Sequence, residues 1–196
     1  MEKLSRQDLY SLEDYLEMRD DFRAKVMAHK KNRRLDIGPN IVLLFEDRLI
    51  MQYQIQEMLK AEKIFDAEGI EEELSAYNPL IPDGKNLKAT MMIQYTDVEE
   101  RKDMLSKMLG VEDVTWLQVG DHDKIYAVAD EDMERSTEDK TSAVHFMRYE
   151  FSDEMIASLR EGAELNAGVE HENYTHIVSP VATHITQALI LDFDAT

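Results

Sequence analysis

Apolar and polar positions along the chain change rhythm several times, and each rhythm predicts an element. Ile41-Val42-Leu43-Leu44-Phe45 is an unbroken apolar run behind the turn pair Gly38-Pro39. Such a run suits a strand buried on both faces. Leu87, Ala89, Met91, Ile93 and Tyr95 alternate with Lys88, Thr90, Met92 and Gln94. A period of two marks a strand with one core face and a more polar outer face. Between these runs Met51, Ile55, Met58, Leu59 and Phe65 fall on one stripe at 100° per residue, the signature of an amphipathic helix. Asp47 is its expected N-cap, and the pattern carries the helix over about 47–67, with Gly69 as its stop.

The remaining elements follow from caps and breakers. Residues 5–34 read as helical in two pieces, opened by a Ser5-x-x-Asp8 capping box. A short helix over Glu71–Ala76 leads into the turn-rich Tyr77–Gly84, and Thr96-x-x-Glu99 opens a helix that stops at Gly110. Strands near 114–119 and 124–129 flank Gly120-Asp121-His122-Asp123, a hairpin signal. An acidic loop over 130–140 is followed by a strand at 142–151. Next come a helix between Ser152 and Gly162, a strand over Leu165–His171 and a final helix begun by Ser179-Pro180. There is no internal repeat and no Gly/Ser-rich linker. Helices mixed with hairpin-connected strands predict an α+β fold, a mainly antiparallel sheet packed with several helices, as a single domain over 1–196.

Charge narrows the class of partner. The chain has 41 acidic and 22 basic residues, a formal net charge of −19. Such a surface repels nucleic acid and anionic membranes and favours cationic partners. The one basic island is Arg23, Lys25, Lys30, Lys31, Arg33 and Arg34, and its expected role is intramolecular docking against acidic surface. No stretch approaches the roughly 20 apolar residues of a membrane helix, and the N-terminus has no apolar leader run. A soluble, cytoplasmic protein is the expectation. The absence of cysteine excludes disulfides, thiolate metal sites and a cysteine nucleophile in this chain. Glu-x-x-His, His-Glu-x-x-His, Gly-x-Ser-x-Gly and the phosphate- and dinucleotide-binding glycine motifs are missing too, so no cofactor is expected.

Several polar residues stand at unusual places. Glu62 falls in the middle of the apolar stripe of the 47–67 helix, where a carboxylate is costly unless paired. Arg48 shares that face but lies about 21 Å away along the axis. Glu62 is therefore either a structural ion-pair partner for a distant basic residue or an acid/base group. Gln54 borders the stripe and Glu57 sits opposite it, so this helix either lines a cleft or lies at the surface. His145 alternates with Ala143, Met147, Tyr149 and Phe151, which reads as a hydrogen-bonded core histidine or a catalyst. Arg148, on the other face, suits a salt bridge or the binding of a carboxylate or phosphate. His171 and His176, with Glu172 and His184 nearby, are the only candidates for a metal, and their spacing fits no single helix or strand face.

A wider set of residues resembles one family. Leu44-Phe45-Glu46-Asp47-Arg48, Tyr53-Gln54-Ile55-Gln56-Glu57-Met58-Leu59, Tyr77-Asn78-Pro79-Leu80-Ile81-Pro82 with Leu87-Lys88-Ala89-Thr90, and Glu138-Asp139-Lys140-Thr141-Ser142-Ala143-Val144 are similar to the bacterial family catalogued as domain of unknown function 3501. The similarity runs along nearly the whole chain. It departs at Lys140, where the family is expected to carry arginine. The resemblance carries over no catalytic role. The genes of this family often neighbour rubrerythrin-like and iron–sulfur oxidoreductase genes, which implies a redox-linked accessory role.

Three functions remain open at this level. The first is a non-catalytic accessory or binding protein that meets a basic patch on a redox partner, with the six carboxylates of Asp130–Asp139 as the contact. The second is an enzyme with a cleft beside the Gln54–Glu62 helix, Glu62 as acid/base and Arg148 as anion binder. The third is a metal-handling protein using His171 and His176.

Overall fold

The computed structural model describes residues 1–194. Among these described residues nine strands form two antiparallel sheets. In the first, β1 (Arg34–Ile37), β2 (Ile41–Glu46), β3 (Asn86–Ile93), β7 (Val144–Glu150) and β6 (Val128–Ala129) lie in that order. In the second the order is β5 (Ile125–Tyr126), β4 (Thr115–Val119), β8 (Leu165–His171) and β9 (Tyr174–Val178). The predicted α+β class with antiparallel pairing is what forms. Leu43, Phe45, Leu87, Ala89, Met91 and Tyr149 of the first sheet share one buried cluster with Leu117, Val119, Leu165, Ala167 and Val169 of the second. Period-two alternation thus aims one face of each sheet at the other.

The segment 124–129 is not one strand. Ile125–Tyr126 pairs with β4, and Val128–Ala129 pairs with β7, so the chain changes sheets at Ala127. Two strands escape the sequence pattern. Arg34–Ile37 starts at the last residue of the basic island, where the helical reading ended, and its Leu35 and Ile37 are buried between exposed Arg34 and Asp36. Tyr174–Val178 closes a hairpin with β8, and the last helix, α6 (Thr183–Ile190), starts after it.

The helices α1 (Leu12–Lys30), α2 (Arg48–Glu62) and α3 (Ala67–Tyr77) form a separate layer. Asp47 caps α2 as expected, its carboxylate accepting from Ile50 N at 2.9 Å. The helix stops at Glu62, not near residue 67, because Lys63 turns left-handed at φ 57°. Asp66 then caps α3 through Gly69 N at 2.9 Å, so Gly69 opens a helix instead of closing one. Asp97, one residue after the expected Thr96, caps α4 (Val98–Lys107), and Ser152 caps α5 (Asp153–Arg160).

Both flanks of α2 are covered. Ile50, Met51, Ile55 and Leu59 pack with Ile70 and Leu74 of α3, while Tyr53 packs with Tyr15, Phe22 and Val26 of α1. Each such buried side chain contributes about 1.5–3 kcal/mol. Among the described residues no helix is long and apolar enough to cross a membrane.

Candidate functional site

Strand register places three charged residues abreast on the face of the first sheet turned away from the sandwich core. Glu46 pairs with Lys88, and Lys88 pairs with Arg148. Neighbouring Phe45, Ala89 and Met147 point into the core, so by alternation the charged row points out. It meets the helical layer there, and the two do not close. A cavity of about 500 Å³ remains, walled by Ala76, Pro79 and Leu80 on one side and by Lys88, Phe146 and Arg148 on the other, with Glu131 and Asp132 at its edge.

The polar groups of this cavity are not equally satisfied. Arg148 is held in a fork, with Nε 2.6 Å and Nη2 2.7 Å from the two oxygens of Glu131. Its Nη1 donates to Glu150. Arg148 hydrogen bonding in turn holds the Glu131 carboxyl below its usual range. Lys88 has a different environment. Its Nζ donates to the Pro79 carbonyl, and no carboxylate of the described residues lies within ion-pair distance of it. Burial pulls the Lys88 ammonium below the ordinary lysine range; the charge of Glu131 opposes this, and the smaller effect of Arg148 adds to it. Lys3 repeats the pattern behind the same turn: Nζ donates to Asn78 O at 2.9 Å and Ile81 O at 2.8 Å, and burial followed by Lys88 pulls it down. Three cations therefore crowd one turn of a strongly anionic protein. At the far end of the row, Glu46 is buried and accepts from Thr90 Oγ1 at 2.6 Å. Burial pushes its carboxyl up.

The family comparison agrees with the sequence resemblance. The family model described as Protein of unknown function (DUF3501) matches residues 3–193. The chain belongs to the DUF3501 family. Among solved structures it is similar to a crystal structure of a novel protein of unknown function from Burkholderia pseudomallei K96243, at 1.90 Å resolution. The two are 46% identical, the match covers 98% of this chain and 100% of that one, and the TM-score is 0.93. No curated protein matches.

In this DUF3501 protein most of the residues singled out from sequence are not brought together. Glu62 is exposed at the last position of α2, and Phe65 beyond it is 76% exposed. The stripe extrapolated through both residues fails because the helix has ended. Among the described residues the buried carboxylates are Glu46, Asp47, Glu112 and Asp192. Glu57 does not face a cleft. Arg19 of α1 holds it by two bonds of 2.7 and 2.8 Å, and Tyr15 donates to it at 2.6 Å. That pairing, Arg19 foremost, lowers its carboxyl to about 2. Gln54 is half-buried on the same helix, and neither residue lines the cavity. His171 and His176 have separate neighbours. His171 Nε2 lies 3.0 Å from Leu109 O, while the His176 ring lies 4.6 Å from that of Tyr174. Among the described residues, no group of three or more His, Cys, Asp or Glu side chains is arranged to hold a metal ion.

His145 is a fully buried core histidine, and it organises the acidic loop. Its Nδ1 lies 2.6 Å from Asp130 Oδ2, and its Nε2 lies 2.8 Å from Thr141 Oγ1 and 3.0 Å from Ser142 O. Thr141 donates to Glu112 at 3.1 Å and Ser136 donates to it at 2.7 Å. An Asp–His–Thr order looks catalytic, but no substrate can reach it. His145 and Thr141 are 0% and 1% exposed, and the recess of about 240 Å³ beside Glu112, Asp130 and Ser136 is lined by neither. The network clamps both ends of the 130–140 loop. His145→Ala is expected to cost about 2–4 kcal/mol, since it leaves buried acceptors without a partner. It should also speed tryptic cleavage after Arg135 and Lys140. Unchanged cleavage rates would remove the clamp.

Lys88 and Glu46 were missed as site residues for one reason. Each is a polar position on the outer face of a strand, and only strand order reveals that the two are adjacent.

Proposed function

We propose that this DUF3501 protein is a non-catalytic binding protein that holds a small organic anion in the 500 Å³ cavity. The observation that carries the proposal is Lys88: a half-buried ammonium at the cavity wall, across the strands from a second cation, whose one hydrogen bond is to a carbonyl. Like charges facing each other across strands destabilise a sheet, and an incoming anion relieves that repulsion. Phe146 and Leu80 supply apolar surface for the ligand's body, as small-molecule sites commonly do. Glu131 acts as a stand-in, its carboxylate filling the Arg148 fork in the geometry that suits a bidentate carboxylate. A ligand carboxylate competes with it.

Thermal shift and calorimetry across small carboxylates and phosphates test this. A ligand present at a hundred times its Kd stabilises the fold by about 2.7 kcal/mol. Arg148→Met should abolish the gain, and Glu131→Gln should tighten binding. If no anion raises the melting temperature of wild-type protein, the cavity is not an anion site. The enzyme alternative that paired Arg148 with Glu62 lacks its acid, since Glu62 lies in solvent and lines no part of the cavity.

The partner we propose is a cytoplasmic redox protein with a basic patch, in keeping with the family resemblance. The support is the net charge of −19 and the exposed Glu134, Glu138 and Asp139 of the acidic loop. Arg135 and Arg148 pair with Asp130, Asp132 and Glu131, so those three exposed carboxylates carry the docking charge. Association with such a partner should slow as salt rises. A rate indifferent to salt and to amide replacements in the loop would reject the contact.

A further inference from the structure

We propose that Lys88 captures its ligand covalently: the cavity takes a small 2-oxo acid, whose carbonyl carbon forms an imine with Lys88 Nζ while its carboxylate meets Arg148. This deepens the reading of the cavity as an anion site and rests on it.

The geometry distinguishes Lys88 from the other lysines. It is the lysine on the wall of the cavity, and its register partner on the adjacent strand is Arg148. Side chains of such a pair start with Cβ atoms about 4.5–5.5 Å apart, and the guanidinium does not titrate. A lysine becomes nucleophilic when it is desolvated or set beside another cation. Lys88 is half-buried on the cavity wall with Arg148 as its neighbour across the strands. A ligand that draws Glu131 away removes the carboxylate that most opposes both effects. Lys85, Lys102, Lys107 and Lys124 instead have carboxylate partners, which favour the unreactive ammonium form. Phe146 and Leu80 place apolar surface beside the bond that forms.

The chemistry balances without an oxidant. The neutral amine adds to the carbonyl carbon, forming the C–N bond as the π pair moves to oxygen. Proton transfer from nitrogen to oxygen gives the carbinolamine. Protonation of its hydroxyl and loss of water leave the imine, so that ammonium plus carbonyl becomes protonated imine plus water. Glu131, displaced from Arg148 by the ligand's carboxylate, is the group at the cavity edge placed to carry the proton.

The plain alternative is that Lys88 only ties down the Pro79 turn. Reductive trapping separates the two. Full-length protein is treated with pyruvate or glyoxylate and sodium cyanoborohydride, and the adducts are mapped by peptide mass spectrometry. Lys88 should be labelled at least about tenfold faster than any other lysine. Lys88→Arg should lose the fast adduct, and wild-type protein should bind lactate, which has the carboxylate but no carbonyl. Arg148→Met should weaken lactate binding and slow the trapping. Uniform labelling of all lysines with lactate still bound overturns the imine and leaves the anion site standing. Uniform labelling without lactate binding overturns both.

Discussion

Arg33→Met is expected to cost the protein about 3–5 kcal/mol, the range for leaving a buried charge without its partner. Arg33 is 2% exposed and spends its donors on three parts of the chain. Nε donates to Phe45 O at 3.0 Å, Nη2 to Glu46 O at 3.1 Å and to Asp192, and Nη1 to Ala188 O at 3.3 Å, with Asp47 3.4 Å away. Methionine fills the space but leaves Asp192 and two strand-end carbonyls, all largely shielded from water, without their donor. The denaturant midpoint measures the loss, and a change below about 1 kcal/mol would show the cluster to be dispensable.

The same cluster should make stability depend on pH. Burial pushes the Asp192 carboxyl up to about 6, against the pull of Arg33. The folded state therefore holds this proton more tightly than the unfolded chain, whose carboxyl titrates near 3.8. Its contribution is fully present below about pH 4 and is lost as pH rises through about 6. A rise from 3.8 to about 6, at about 1.4 kcal/mol per pH unit, amounts to roughly 3 kcal/mol. Asp192→Asn should remove that slope. Parallel stability curves for the two proteins between pH 4 and 7 would disprove it.

Tyr174→Phe is expected to cost about 3 kcal/mol. The phenol of Tyr174, on a strand of the second sheet, donates to Ile37 O at 2.6 Å and accepts from Asn40 N at 2.9 Å and Ile41 N at 3.1 Å. It thus ties the β1–β2 turn of the first sheet to the second. Each buried backbone group left unpaired costs about 1–3 kcal/mol, moderated where water enters. For a chain of this size that is a fall of about 6–12 °C in Tm. Gly38→Ala should act at the same joint. Gly38 has φ +69°, and a Cβ there would stand 2.5 Å from the His176 ring and 2.6 Å from the Tyr174 hydroxyl. If both variants melt with wild-type protein, the two sheets are held together by core packing alone.

These contacts also show where sequence reasoning stops. The apolar run over Ile41–Phe45 and the alternation over Leu87–Ile93 were legible as strands because burial of one or both faces is written into the residues themselves. Asp47 and Ser152 were legible as caps, since a cap bonds an amide three residues on. Such signals are local, and they determined the antiparallel α+β class. Helix ends were less secure. Nothing in Lys63 announces a left-handed turn, and the stripe running on to Phe65 concealed the break.

Tertiary structure alone decided which polar groups meet. Arg33 reads as one cation in a basic run until α6 brings Asp192 to it from 159 residues away. Glu57 reads as an outward carboxylate until α1 packs over it. Lys88 reads as a solvated strand residue until strand order sets it beside Arg148 and the end of α3 with the Pro79 turn walls one side of the pair. Sequence periodicity records whether a position faces in or out of its own element, because that depends on neighbours one or two turns away. The environment that sets a charge's role depends on residues distant along the chain, and their approach is determined only when the whole core packs.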